Sequence, residues 1–269
     1  MQFYESFWLG LMQGISEMLP LSSNGHSRIM VWILGHEGDP SLYWNCIAQL
    51  FGIGATLALI VYYFADIVYL AKKNKKLLLS FFLGGLVSFL GAFLIGFLLK
   101  DFFVNKASMM LIMIVLALTG IVLLNGAKFF KEKSKMKLES LSNKRVLSMS
   151  SIGILGGIPG ISFTLPLFLS ARINGLNARR AIKTAHLIMI PALIGINIVR
   201  YIFVLSEPES LIHNSDIPQI VVANIISFAG AYIALYWLNR YLEKRNNFRI
   251  FGYYRILLAT VMLIFILLK

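Results

Sequence analysis

Cysteine and charged residues are both scarce in this chain. The 269 residues include a single cysteine, Cys46, which excludes an internal disulfide and a cysteine-based metal cluster. Only 14% of the residues are charged, whereas 58% are hydrophobic and the mean hydropathy is +0.76. This composition excludes an ordinary soluble globule, and several apolar runs are long enough to cross a bilayer.

Six apolar runs predict membrane-spanning helices. They lie at about residues 46–66, 77–99, 107–126, 184–205, 218–239 and 250–268. Residues 1–18 carry Glu5 and lack the basic start of a secretory signal. We therefore expect this first segment to belong to the mature fold.

Basic residues outnumber acidic ones by 25 to 12, but their positions argue against a nucleic-acid partner. Nineteen of the 25 lie in the segments 70–76, 127–146, 172–183 and 240–249. The loops between these segments carry acidic residues instead, namely Glu37, Asp39, Asp101, Glu207, Glu209 and Asp216. This alternation is typical of a multi-pass protein of the cell membrane, and it predicts that the basic loops are cytoplasmic.

Two further hydrophobic stretches are interrupted by Pro, Ser and Gly, at residues 17–26 and 156–162. Irregular backbone at membrane depth is stable only where protein or a water-filled cavity satisfies its polar groups. The predicted sidedness of the loops implies that residues 1–35 enter the membrane from the outside and return to the same side. By the same argument, residues 147–171 enter and leave from the cytoplasm.

The predicted fold is therefore an all-α polytopic membrane protein with an inverted-topology repeat. Each half holds one re-entrant helix hairpin and three transmembrane helices, and because three is odd, the halves lie upside down relative to each other. The first repeat covers residues 1–126 and the second covers 147–269. A basic cytoplasmic linker, residues 127–146, joins them, and the broken helices are expected to meet near the centre.

The first break carries residue types that suit phosphoryl transfer. Gln13 and Glu17 are four residues apart, so on a helix their side chains share one face. His26 follows the break as an acid or base. The hydroxyls and flexible backbone that favour an anion come from Ser22, Ser23, Asn24 and Gly25. A purely structural alternative stays open, in which Ser22 caps the next helix, His26 is packed and Glu17 lies at the outer surface.

The second break has a similar logic. Pro159 ends a helix, Gly160 allows close backbone approach, and Ser162 falls near the start of the next half-helix. Unpaired N–H groups and the helix dipole at such a start favour a phosphate. A serine in this position is a candidate nucleophile, although the same short pattern occurs in ordinary turns.

Taken together, these motifs resemble the bacterial undecaprenyl-pyrophosphate phosphatases of the bacitracin-resistance type. Residues 13–26 fit that family's (E/Q)-x-x-x-E and P-x-S-S-x-G-H run, and residues 159–162 fit the start of its P-G-x-S-R-S motif. Residues 190–192 fit a later I-P-A element. The stretch 232–243 and the pair Tyr254-Arg255 resemble the family's C-terminal part.

The resemblance implies an enzyme that removes the terminal phosphate of undecaprenyl diphosphate at the outer face of the membrane. The polyprenyl product would then be recycled as the lipid carrier for peptidoglycan biosynthesis. The resemblance also implies a divalent cation, Mg²⁺ or Ca²⁺, with Glu17 and Gln13 as its ligands. Whether the protein forms a homodimer is left open.

Site residues are carried over by position. Glu17, His26 and Ser162 are the catalytic candidates: His26 as acid or base, Glu17 to help activate the nucleophile, and Ser162 as nucleophile or diphosphate ligand. The substrate-binding candidates are Gln13, Ser22, Ser23, Gly25, Gly160, Thr164, Arg28 and Arg200.

The second motif departs from the family, because Phe163 and Thr164 stand where the family has Arg and Ser. A guanidinium clamp on a transferring phosphoryl group stabilises the transition state, and Phe cannot provide one. Arg28 or Arg200 is a candidate to replace it. Two alternatives stay open: a lipid-phosphate transporter or flippase, and a non-catalytic lipid-phosphate-binding relative that partners envelope-synthesis proteins. The presence of Glu17, His26 and Ser162 favours the phosphatase.

Overall fold

All regular secondary structure in the described part of the chain is helical. A computed structural model describes residues 1–36, 47–48, 50–98, 107–129, 138–206, 214–245 and 247–267. The α-helices within them are α1 (Phe3–Met18), α2 (Ser23–Ile33), α3 (Gly52–Tyr62), α4 (Phe64–Lys73), α5 (Lys75–Leu98), α6 (Ala107–Phe129), α7 (Asn143–Gly153), α8 (Thr164–Ile173), α9 (Ala178–Ser206), α10 (Ile217–Lys244) and α11 (Arg249–Leu267). Short 3₁₀ turns cover Leu138–Ser140, Ile154–Gly157 and Asn214–Asp216.

Among the described helices, α5, α6, α9, α10 and α11 are long and apolar enough to cross a membrane. The pair α3 and α4 forms a sixth such element if it counts as one span. The chain is therefore a multi-pass, all-α membrane protein, as its composition predicts. The predicted span ends at residues 46, 99 and 268 lie outside the described residues.

The predicted first span, residues 46–66, is wrong in shape and in its end. The chain bends by 54° at Tyr63 and continues as a helix to Lys73. A search for apolar runs stops at Asp66, but this carboxylate accepts a hydrogen bond from Lys183 of α9. The Asp66 charge is thus paired within the protein, and α4 continues beyond it to Lys73.

Both interrupted stretches form hairpins of two short helices, α1 with α2 and α7 with α8. The breaks fall at residues 19–22 and 158–163, where the sequence predicts them. The second hairpin begins earlier than expected, at Asn143, because the Ser142 hydroxyl caps α7 through the Arg145 backbone N–H. Leu138 and Leu141 are buried, so this end of the predicted linker 127–146 is part of the packed core. Residues 130–137 of the linker lie outside the described residues.

Close backbone packing joins the first hairpin to the C-terminal half. On α1, a Cβ at Gly10 would overlap the Ala223 carbonyl of α10, and one at Gly14 would overlap the Ser227 carbonyl. Small residues four apart on facing helices allow this approach, which is the usual way for helices to associate in a membrane. The first hairpin is thus held by α10, more than two hundred positions later in the numbering.

The second hairpin packs on α5 in the same manner. A Cβ at Gly153 would collide with Ser88, and one at Gly157 would overlap the Ala92 carbonyl. α5 and α10 occupy equivalent places, each being the second spanning element of its half. Each hairpin therefore packs on the other half of the chain, which supports the repeat prediction, while the inverted orientation in the membrane stays a prediction.

A labelling experiment tests the predicted sidedness. In a Cys46→Ser background, Ser206→Cys at the end of α9 should react with an impermeant thiol reagent added outside intact cells. Glu139→Cys should react only after the membrane is permeabilised, because it lies within the basic linker 127–146. Both side chains are exposed in the structure, so failure to react would not reflect burial. Reaction of both positions from the same side would contradict the predicted topology.

Candidate active site

The first break leaves helix α1 with carbonyl groups that have no partner in their own helix. Side chains from the C-terminal half satisfy them. The Thr164 hydroxyl donates to the Glu17 carbonyl (3.1 Å), His186 Nε2 donates to the Met18 carbonyl (3.1 Å), and the Ser162 hydroxyl donates to the Leu19 carbonyl (3.2 Å). The two breaks therefore meet, as the sequence predicts.

Arg255 of α11 lies between the two breaks and is fully buried. One of its nitrogens donates to the Leu21 carbonyl (2.7 Å) of the first break and to the Gly160 carbonyl (3.0 Å) of the second. Its other terminal nitrogen donates to the Thr119 hydroxyl (2.7 Å). A single guanidinium thus joins both hairpins to α6 and α11.

Glu17 lies in the last turn of α1, and its carboxylate is buried within a polar cluster. The Gln13 amide donates to it (2.7 Å), as expected for residues four apart on one face. Ser23, in the first turn of α2, also forms a hydrogen bond to it, and the guanidinium of Arg200 acts on it electrostatically. The expectation that Glu17 is exposed at the outer surface, left open by the sequence, is wrong.

His26 is held in one orientation by two hydrogen bonds. Its Nδ1 contacts the Ser22 carbonyl (2.7 Å), and its Nε2 contacts the Tyr254 hydroxyl (2.7 Å). Because a carbonyl only accepts, the proton lies on Nδ1, which leaves the Nε2 lone pair to accept the Tyr254 proton. The basic nitrogen of His26 therefore points to the half-exposed hydroxyl of Tyr254.

Ser22 is the N-cap of α2, since its hydroxyl accepts a hydrogen bond from the Gly25 backbone N–H (3.2 Å). Gly25 packs beside Ile112 and Leu116 of α6. Gly160 has a positive φ of +90°, and a Cβ there would also crowd Val115, so glycine is required at this turn. These residues shape the two breaks and lie beside the polar cluster.

Ser162 is buried, and the acceptor of its proton is a carbonyl rather than a base. An activated nucleophile needs a base within hydrogen-bond reach. This geometry does not support the role of nucleophile. The other predicted role, contact with the diphosphate, would require the Ser162 hydroxyl to leave the Leu19 carbonyl, and it stays a prediction.

The arginine candidates differ in their positions. Arg200 lies beside Gly52, acts electrostatically on Glu17 and has one terminal nitrogen enclosed by protein. Arg28 is half-buried on α2, two residues beyond His26. Phe163 is buried, and its ring covers Gly156 so closely that a Cβ there would collide with it. The position where the resemblance predicts an arginine is therefore filled by apolar packing, while Arg200 and Arg255 bring positive charge to the site.

The predicted divalent cation would find a single carboxylate in this set of residues, that of Glu17. The Gln13 amide presents its N–H group to Glu17, and its oxygen accepts from the Ser27 hydroxyl (3.2 Å). In this arrangement Gln13 orients the carboxylate and its oxygen faces away from it. Mg²⁺ is often held by one or two carboxylates together with phosphate oxygens of the substrate, a role that Glu17 suits. Among the described residues, no cluster of three His, Cys, Asp or Glu side chains is found.

Several residues of the site were not given a role by sequence reasoning. Tyr254 and Arg255 contribute only to the family resemblance, and His186 is a lone histidine in an apolar helix. His186 links the first break to Tyr63, whose hydroxyl contacts its Nδ1 (3.1 Å) and accepts from Asn239 (3.2 Å). The sequence did offer one signal for Arg255 and His186, because each is an ionisable residue within an apolar span.

Comparison with known proteins gives the family. A family model for the bacitracin resistance protein BacA matches residues 6–261. The chain belongs to the BacA family. Its relatives include proteins named undecaprenyl-diphosphatase from Lactobacillus delbrueckii subsp. bulgaricus, 25% identical, and from Parvibaculum lavamentivorans, 27% identical. The matches cover 98% of this chain in both cases, and 98% and 96% of the two relatives. A protein of Bacillus anthracis named undecaprenyl-diphosphatase 1 is 28% identical over 98% of both chains.

The packing of Phe163 yields a prediction for this BacA family member. Phe163→Arg should lower the free energy of unfolding by about 3 kcal/mol, because the guanidinium would replace a ring buried against Gly156. Phe163→Leu, which keeps the site apolar, should cost about half as much. Thermal unfolding of both variants in detergent measures the difference. A stable Phe163→Arg variant with raised turnover would instead show that this position accepts a clamp.

Proposed function

We propose that this protein is an undecaprenyl-diphosphate phosphatase of the cell membrane, with its two breaks opening to the outer face. It removes the terminal phosphate of a polyprenyl diphosphate and returns the monophosphate carrier to envelope synthesis. The family match and the names of its relatives support this activity. Transport of a lipid phosphate, the alternative from the sequence, has no comparable support.

One observation carries the proposal: a buried carboxylate and an oriented imidazole flank the same helix break. Glu17 closes α1, and His26 lies in the first turns of α2 with its Nε2 lone pair directed to the Tyr254 hydroxyl. A water or diphosphate oxygen that displaces this hydroxyl would find a base in hydrogen-bond reach.

The proposed reaction is attack of water on the terminal phosphorus. His26 Nε2 accepts the proton of the water as its oxygen bonds to phosphorus. The bond between that phosphorus and the bridging oxygen breaks, and the electron pair leaves with the lipid monophosphate. Ser22 and Ser23 contact phosphate oxygens, Ser162 joins them when its hydroxyl leaves the Leu19 carbonyl, and Arg200 stabilises the negative charge that develops on the phosphate.

A bound divalent cation would neutralise charge on the diphosphate oxygens. In this proposal Glu17 holds it on the protein side, and Gln13 keeps the carboxylate in place. Gln13 then contributes by positioning Glu17. Of the two cation ligands that the sequence predicts, Glu17 and Gln13, the proposal keeps only Glu17.

Phosphate release by purified full-length protein tests the function directly. With C55 diphosphate in mixed micelles and Mg²⁺ or Ca²⁺, we expect stoichiometric inorganic phosphate and lipid monophosphate. A chelator should abolish release, and adding back the cation should restore it. Intact binding of the lipid with no release under any cation would contradict a phosphatase and favour the transport alternative.

The two central residues have a sharper test. Glu17→Gln and His26→Ala should each lower kcat by about two to four decades, since His26 is the proposed base and Glu17 the proposed ligand of the cation. His36→Ala is the matched control, because His36 pairs with Glu5 near the start of α1. Thermal unfolding checks that the variants are folded. Turnover near that of the parent in either site variant would remove that residue from the mechanism.

A further inference from the structure

An apolar groove lies between α3 and α9 on the outer surface of the helix bundle. It encloses about 380 Å³ and is lined by Ile53, Thr56, Leu57, Ile60, Ile194, Asn197, Ile198 and Tyr201. Leu57, Ile194 and Ile198 are exposed, as residues that face lipid are. The volume falls within the range of about 300–1,000 Å³ that small-molecule sites occupy.

The two helices that form the groove, α3 and α9, run antiparallel to each other. Ile53 lies at the end near Tyr201, and Ile60 lies at the end near Ile194, so its length is about 10 Å along α3. Its floor is polar, because the Asn197 amide donates to the Thr56 hydroxyl (2.8 Å), and both side chains are buried. The floor satisfies its own polar groups, so an apolar chain can lie above it.

One end of the groove leads to the candidate active site. Gly52 precedes Ile53 and lies against both Asn197 and Arg200. Arg200 is one helical turn beyond Asn197 on the same face of α9, and it acts electrostatically on Glu17. The groove therefore joins exposed apolar surface to a guanidinium that acts electrostatically on Glu17.

We propose that this groove binds the first isoprene units of the polyprenyl chain while the diphosphate lies between Arg200 and Glu17. The inference rests on the proposed function, and it specifies how the substrate enters. A polyprenyl chain cannot leave the bilayer without exposing a large apolar surface, so its headgroup must reach the site from the side. A groove that is apolar along its length and cationic at its inner end is complementary to such a lipid.

A second apolar groove offers an internal control. It has a similar volume, about 420 Å³, and lies between α4, α5 and α9, with Leu79, Phe82 and Ile190 among its lining residues. Its charged residue is Lys75, at the start of α5 and next to the basic segment 70–76. Because its charged end is Lys75 of the predicted cytoplasmic segment rather than Arg200, substrate should not occupy it during hydrolysis.

Photo-crosslinking tests the location of the chain. A polyprenyl diphosphate with a diazirine on its second isoprene unit is incubated with full-length protein in nanodiscs and irradiated. We expect the label on peptides that contain Ile53–Ile60 or Ile194–Tyr201, and excess C55 diphosphate should remove it. Labelling of the α4/α5 groove, or labelling that phospholipid removes equally well, would overturn the proposal.

Groove-filling variants test its contribution to catalysis. Leu57→Trp and Ile198→Trp should each raise the KM for C55 diphosphate about tenfold, because the indole occupies the path of the chain. The KM for isopentenyl diphosphate, whose single isoprene unit does not span the groove, should change less than about twofold. Leu79→Trp in the second groove should leave both KM values unchanged. Equal losses for the long and short substrates would contradict the groove.

The two proposals fail in different ways. A protein that is labelled in the groove, with competition by C55 diphosphate, but releases no phosphate would retain the groove and refute the phosphatase. A protein that releases phosphate but carries the label elsewhere would retain the phosphatase and refute the groove.

Discussion

The structure depends on how the open carbonyls at the end of α1 are satisfied. A helix that stops inside a membrane leaves several carbonyls without partners, and no water in the hydrocarbon core can take their place. Here Thr164, His186, Ser162 and Arg255 each donate to this segment. All four come from the second half of the chain, so the break is stable only when both halves are assembled.

This arrangement also explains why so many polar side chains lie near one point. The side chains that satisfy the backbone of the break do not hold the side chains of Glu17 and His26. Those two side chains are held by other residues close to them in the sequence. Gln13 and Ser23 fix the carboxylate, while the Ser22 carbonyl fixes the imidazole. The reacting groups are thus preorganised by short-range contacts, and the scaffold beneath them is held by long-range ones.

Local features were predictable from the sequence. The breaks, the helix N-cap at Ser22 and the pairing of Gln13 with Glu17 follow from residue type and spacing alone. The pairing of Asp66 with Lys183 was not predictable, because Lys183 lies on another helix, 117 residues further along the chain. The roles of Arg255, Tyr254 and His186 were also hidden, since each is defined by a partner more than a hundred residues away. The sequence shows that Phe163 cannot act as a guanidinium clamp. It does not show that the Phe163 ring packs on Gly156, because that contact depends on the conformation of the turn between them.

The pairing of α1 with α10 sets the order in which the protein can mature. A ribosome delivers Leu21 to the membrane long before Arg255, which is 234 residues further along the chain. Until α10 and α11 emerge, the first hairpin lacks α10, on which its glycines pack. It also lacks the Arg255 guanidinium, which joins the two breaks. The nascent N-terminal half must therefore wait in an incomplete state, and a chain truncated before α10 carries Glu17 and His26 without the architecture that holds them together.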